Sequence, residues 1–111
     1  MEWVSGNILI RPNGPYPKGH IVFGHAHNFD HTTFVMVGAI RLREIGGRTV
    51  ELTAPAHALV RAGVYHEITS LVDGSVFWCV YSHRDPQGGV VQRFNGWERA
   101  YGTTLEPRPK E

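Results

Sequence analysis

The sequence predicts an all-β domain, a sandwich or barrel of short strands. Short runs rich in β-branched and aromatic residues recur at regular spacing. Tight-turn signals, Gly46-Gly47 and Asp73-Gly74, punctuate them. No segment shows the apolar spacing of a convincing helix.

The elements follow in chain order. The opening to about Lys18 contains RPNGPYPKG. Pro12, Pro15 and Pro17 exclude a helix or a central strand there, so an irregular arm is expected, with one short strand at Asn7–Ile10. HIVFGHAH reads as a strand with histidines at alternate positions. HTTFVMV reads as a strand buried on both faces. AIRLREI sets Ala39, Ile40 and Leu42 against Arg41, Arg43 and Glu44, the charged set forming a solvated face. Gly46-Gly47 turns the chain into RTVEL, with Val50 and Leu52 toward the core. HALV, YHEITSLV and SVFWCVY continue the series, and Asp73-Gly74 is read as a second hairpin turn. Beyond His83 the character changes. Phe94, Trp97 and Tyr101 are candidates for packing back on the barrel or onto a second subunit, and EPRPKE reads as a tail.

Length and composition narrow the class. The 111 residues fit a single domain, 1–111. It divides into the arm to about 18, a barrel over about 19–83 and a C-terminal extension, 84–111. The formal net charge of +1 and the lack of a basic stripe or motif argue against a nucleic-acid partner. No apolar stretch approaches the ~20 residues that span a bilayer, and no signal peptide is visible. A soluble, cytoplasmic protein is the expectation. Cys79 is the only cysteine, so no intramolecular disulfide forms. Its apolar setting, VFWCVY, suggests a buried, inert thiol.

The feature that calls for a function is histidine. The chain has seven, and His20, His25, His27 and His31 fall close together. Alternate strand residues share a face, so His25 and His27 project side by side. His31 has the same parity and stays on that face if the strand continues. His66, on a later strand, could be brought opposite. Neutral imidazoles suit Zn, Cu, Fe and Ni, and Mn less well. Asp30 is an alternative ligand, but its opposite parity argues against it. Glu67 points away from His66 by the same rule. His20, His57 and His83 are assigned structural or solvated roles. Phe34, Tyr65, Phe77, Trp78 and Tyr81 are candidate pocket walls, although strand aromatics more often serve cores or interfaces. Phe34 and Met36 lie opposite His31, which predicts a homodimer that covers them.

At these residues the sequence resembles the cupin superfamily. Its first motif is G-x5-H-x-H-x3,4-E-x6-G. Here Gly19 is followed by five residues and then His25-Ala26-His27. His31 stands where the family places Glu, and Gly38 closes the motif. The second motif, G-x5-P-x-G-x2-H-x3-N, is kept only at Gly63 and His66, with Pro55, Arg61 and Ser70 at the other fixed positions. The resemblance covers about Gly19–Tyr81. It implies a jelly-roll β-barrel (a double-stranded β-helix) holding one divalent transition ion, Fe, Mn, Ni, Zn or Cu. The ligands carried over are His25, His27, His31 and His66.

The Glu-to-His departure removes a negative charge and a candidate general base. The activity expected first is a dioxygenase acting on a small dicarbonyl or aromatic compound. The alternatives are a non-catalytic accessory module that binds a metal or small molecule, and a metal-dependent isomerase or lyase. The last needs an acid/base near the metal. The sequence offers Tyr65, Tyr81, His57 or Glu67, none obviously placed, and no catalytic residue is assigned.

Overall fold

The computed structural model describes residues 2–25, 29–84 and 86–89, the side chains of 23–25 excepted. Nine strands occur among them: β1 (Trp3–Ser5), β2 (Ile8–Tyr16), β3 (Ile21–His25), β4 (His31–Val37), β5 (Ala39–Glu44), β6 (Thr49–Thr53), β7 (Ala56–Val60), β8 (His66–Ser70) and β9 (Ser75–Ser82). All pairings are antiparallel. They build two sheets, ordered β1-β2-β9-β4-β7 and β3-β8-β5-β6. This is the expected all-β jelly roll. Among the described residues no helix is long and apolar enough to cross a membrane.

The core lies between the sheets. Val35, Ile40, Leu42, Ala58, Val60, Ile68 and Phe77 form one buried cluster. They alternate with outward residues, as a two-residue period requires. Val50 and Leu52 pack against the cluster as expected.

Four sequence expectations change. The Pro-rich opening is not irregular: β2 runs nine residues through Pro12. Its partner β1 reaches only Ile10, so Pro12 sits where one side of β2 is already an edge and no donor is missed. A bulge at Asn13/Tyr16 takes up Gly14, where a Cβ would collide with the Ser75 carbonyl. Next, β4 is not buried on both faces. His31, Thr33 and Val35 point in, while Phe34 and Met36 are 38% and 44% exposed. Asp73-Gly74 makes a turn but not a hairpin, because β8 and β9 belong to different sheets. Finally, the strand carrying His25 does not continue to His31, which opens β4 in the facing sheet.

Gly38 stands at the corner where β4 passes to β5. Its φ of +78° is left-handed, and a Cβ there would lie 2.7 Å from Ser75 Oγ. Ser75 is fully buried at this corner. Its hydroxyl donates to the Ala39 carbonyl at 2.9 Å and lies 3.3 Å from the Ala39 amide. The motif glycine therefore has a packing reason as well as a conformational one.

Candidate functional site

His31 and His66 come together at one end of the barrel, from opposite sheets. His31 is 3% exposed and His66 4%, with ring centroids 5.4 Å apart. Parity explains both. Each shares its inward face with core residues, Thr33 and Val35 on β4, and Ile68 on β8. His25 ends β3 with its backbone paired to His66, so its Cα borders the same end of the barrel. His27 lies outside the described residues. Among the described residues, no three His, Cys, Asp or Glu side chains converge where they could hold an ion.

The protonation state of His66 follows from its surroundings. Burial lowers its pKa below the ordinary imidazole value, partly opposed by its hydrogen bond to the Val64 carbonyl and by the charge of Glu44. The ring is then neutral at neutral pH. Nδ1 lies 3.3 Å from the Val64 carbonyl oxygen. A carbonyl only accepts, so Nδ1 carries the proton and Nε2 the lone pair. This is the arrangement found in imidazole metal ligands. Two imidazoles, His31 and His66, are the donors of a type that suits a transition ion whose side chains are described at this end of the barrel.

The ring of Phe29 adds an apolar wall. It lies 4.4 Å from Tyr81 and 6.3 Å from His31. Tyr81 itself is buried, with its ring 6.4 Å from His31. Of the proposed wall aromatics, Tyr81 sets its ring beside His31. Phe77 belongs to the core, and Phe34 and Trp78 lie on the outer face.

One site residue was misplaced by the sequence reading. Glu44 is not part of the solvated face. It shares parity with Ile40 and Leu42, its side chain is only 12% exposed, and its backbone pairs with His66. Strict application of the two-residue period would have found it. Its carboxylate meets the Arg48 guanidinium at 3.3 Å, and Arg48 also donates to the Leu59 carbonyl. A cleft of about 270 Å³ opens here, lined by Glu44, Arg48, Leu59, Arg61 and Val64. That is at the small end for a ligand pocket, and two guanidiniums edge it.

The remaining candidates sit elsewhere. Asp30 accepts a hydrogen bond from the Ala62 amide at 2.8 Å, which ties down the loop before β8. Glu67 faces outward and pairs with Arg43 at 2.9 Å. His20 stacks on Tyr16 with centroids 4.2 Å apart. His57 rests on the outer face against Phe34. The His83 amide donates to the Asn7 carbonyl. The packing expected of Phe94, Trp97 and Tyr101 lies outside the described residues.

No family profile matches the sequence, and no curated protein does. Solved structures do. The chain is similar to a protein of Neisseria meningitidis, with a TM-score of 0.62 and 17% identity, over 74% of this chain and 81% of that one. It is similar to a cupin superfamily protein of Desulfitobacterium hafniense, with a TM-score of 0.59 and 13% identity, over 72% and 71%. The chain has the cupin fold. KdgF from a Halomonas species shares this cupin fold, with a TM-score of 0.57 and 18% identity, over 76% and 86%. Identities this low speak for the cupin architecture alone.

Proposed function

We propose that this cupin-fold chain binds one divalent transition metal through His25, His27, His31 and His66, and acts as a dioxygenase on a small dicarbonyl or aromatic compound. One observation carries the metal reading. Two buried imidazoles from facing sheets lie 5.4 Å apart at the barrel end that His25 borders. Four imidazoles gathered at one barrel end form a donor set that suits a first-row transition ion.

Such an ion supplies Lewis acidity toward a carbonyl oxygen and, if redox-active, the electron steps of O2 chemistry. The chain supplies the rest. Val64 holds His66 in one tautomer. Phe29 and Tyr81 keep water from the His31 side. Arg48 and Arg61 at the small cleft favour an anionic, oxygen-rich ligand.

Glu44 favours a second reading, a metal-dependent isomerase or lyase. It places a carboxylate beside His66, where none of the acid/base candidates read from the sequence, Tyr65, Tyr81, His57 and Glu67, was obviously placed. Proton transfer by such a group contributes about 10²–10⁴-fold to a rate.

Elemental analysis of protein purified without a chelating tag tests the site. Wild type is expected to carry close to one transition ion per chain, and His27→Ala to lose it. Oxygen uptake is then followed with a diketone and with a catechol. Zinc alone, with no uptake on either compound, overturns the dioxygenase reading. Glu44→Gln separates the two. It lowers turnover by about 10²-fold or more at unchanged metal content if Glu44 moves a proton, and far less if the chemistry is oxidative.

A further inference from the structure

The strands β6 and β7 are outermost in their sheets, β6 in β3-β8-β5-β6 and β7 in β1-β2-β9-β4-β7. Two edges that belong to different sheets leave a seam between them. The cleft of about 270 Å³ lies on this seam, lined by Glu44, Arg48, Leu59, Arg61 and Val64. It adjoins the histidine site through two of these residues. The Glu44 backbone pairs with His66, and the Val64 carbonyl accepts from His66 Nδ1.

The two guanidiniums of the cleft are not equivalent. Arg48 sets Nε 3.3 Å from the Glu44 carboxylate, and its Nη2 donates to the Leu59 carbonyl across the seam. Its charge is thus matched and its position fixed from both sheets, while Nη1 has no protein partner among the described residues. Arg61, on the loop after β7, is exposed, and among the described residues its guanidinium has neither an ion pair nor a hydrogen bond. Asp30, the other acid at this loop, accepts the Ala62 amide instead. A free arginine on a convex surface needs no explanation. Here it edges a concave site beside a second, immobilised guanidinium with an unused donor.

We infer that this cleft is the carboxylate subsite of the ligand, that Arg61 selects for it, and that the ligand is a short monocarboxylic acid. The planar fork of Arg61 matches the two oxygens of a carboxylate, a match that lysine lacks. Arg48 Nη1 supplies a further, positioned donor. Leu59 and Val64 give the carbon body of the ligand apolar walls. Glu44 limits the charge, because the second carboxylate of a dianion would meet it, whereas a monoanion balances the one unmatched guanidinium. A volume of about 270 Å³ admits about nine water-sized groups at ~30 Å³ each, hence a chain of a few carbons. This subsite deepens the proposed reading by giving the dicarbonyl compound a carboxylate. It rests on that reading only for where the other end of the ligand goes.

Isothermal titration calorimetry of the chain as purified, at constant ionic strength, tests it with butanoate as the probe. Saturable binding is expected. Arg61→Ala should raise the dissociation constant about 10-fold or more, the loss of a charge-assisted pair. Arg61→Lys, which keeps the charge without the fork, should fall between. Butanamide, of the same shape without the charge, should not bind, and malonate should bind more weakly than butanoate. His27→Ala, which empties the metal site, should bind butanoate as wild type does, so a failed metal centre and a failed cleft give different results. No saturable heat with butanoate overturns the inference. So does unchanged affinity in both Arg61 variants, equal binding of butanamide, or tighter binding of malonate. Loss of butanoate binding in His27→Ala overturns it as well, since the carboxylate would then sit on the metal.

Discussion

His66, Glu44 and Cys79 show how one physical term, burial, sets the chemistry of a side chain. At His66 burial favours the neutral ring, the form that binds metals. At Glu44 the carboxylate keeps a cation, Arg48, at its side. At Cys79 burial pushes the thiol up to about 11, opposed more weakly by its contact with Thr33 and the charge of Arg11. The ordinary thiol value there is 9.0. The unfolded chain therefore loses the thiol proton at lower pH than the folded chain. The stability held by the protonated thiol is present below about pH 9 and is lost as pH rises toward 11. We expect a loss on the order of 1–3 kcal/mol over that window. Urea unfolding of wild type and Cys79→Ala between pH 8 and 11 checks it, since the Ala chain should lack this component. The same thiol should resist alkylation in the folded protein at pH 8.

At the scale of elements, the corner between β4 and β5 is the feature on which the barrel turns. The left-handed Gly38 and the buried Ser75 hydroxyl occupy the same few ångströms. Gly38→Ala would meet both the strained φ and a contact 3.0 Å from Ser75 Cα. We expect a destabilisation of about 2 kcal/mol or more, measured as a shift in the urea midpoint without a change in slope. A Gly46→Ala control meets no atom within 4 Å, although its φ of +78° is the same. It should cost about 1 kcal/mol, the conformational part alone. The difference between the two isolates the close approach to Ser75.

For the whole molecule, the candidate site exists only because the sheets close on each other. His31 comes from the β1-β2-β9-β4-β7 sheet and His66 from its partner. An ion held between them ties the sheets together and binds only the folded state. Saturation at a hundred times the dissociation constant should stabilise the fold by about 2.7 kcal/mol. A thermal melt with and without a chelator reads this as a fall in Tm. The fall should vanish in His66→Ala, where no effect of the chelator remains. Equal melts for wild type in both conditions would count against the metal centre.

Much of this was legible in the residues. Alternation, Gly-Gly and the run of β-branched segments announced antiparallel strands, because strand period and turn chemistry are local properties. The inward direction of Glu44 was also written there, in the parity it shares with Leu42. Other features are not local. No pattern along the chain states which strand joins which sheet, so Asp73-Gly74 read as a hairpin although it crosses between sheets. Nor could parity carry His31 past the end of β3, since a strand break resets it. The cleft edged by Arg48 and Arg61 is likewise a meeting of two sheet edges, visible only once the sheets close. The sequence by itself determined the strands, their turns and the supply of histidines. Only the tertiary structure decided which histidines meet and which side chains line the cleft, because both depend on contacts between residues far apart in the chain.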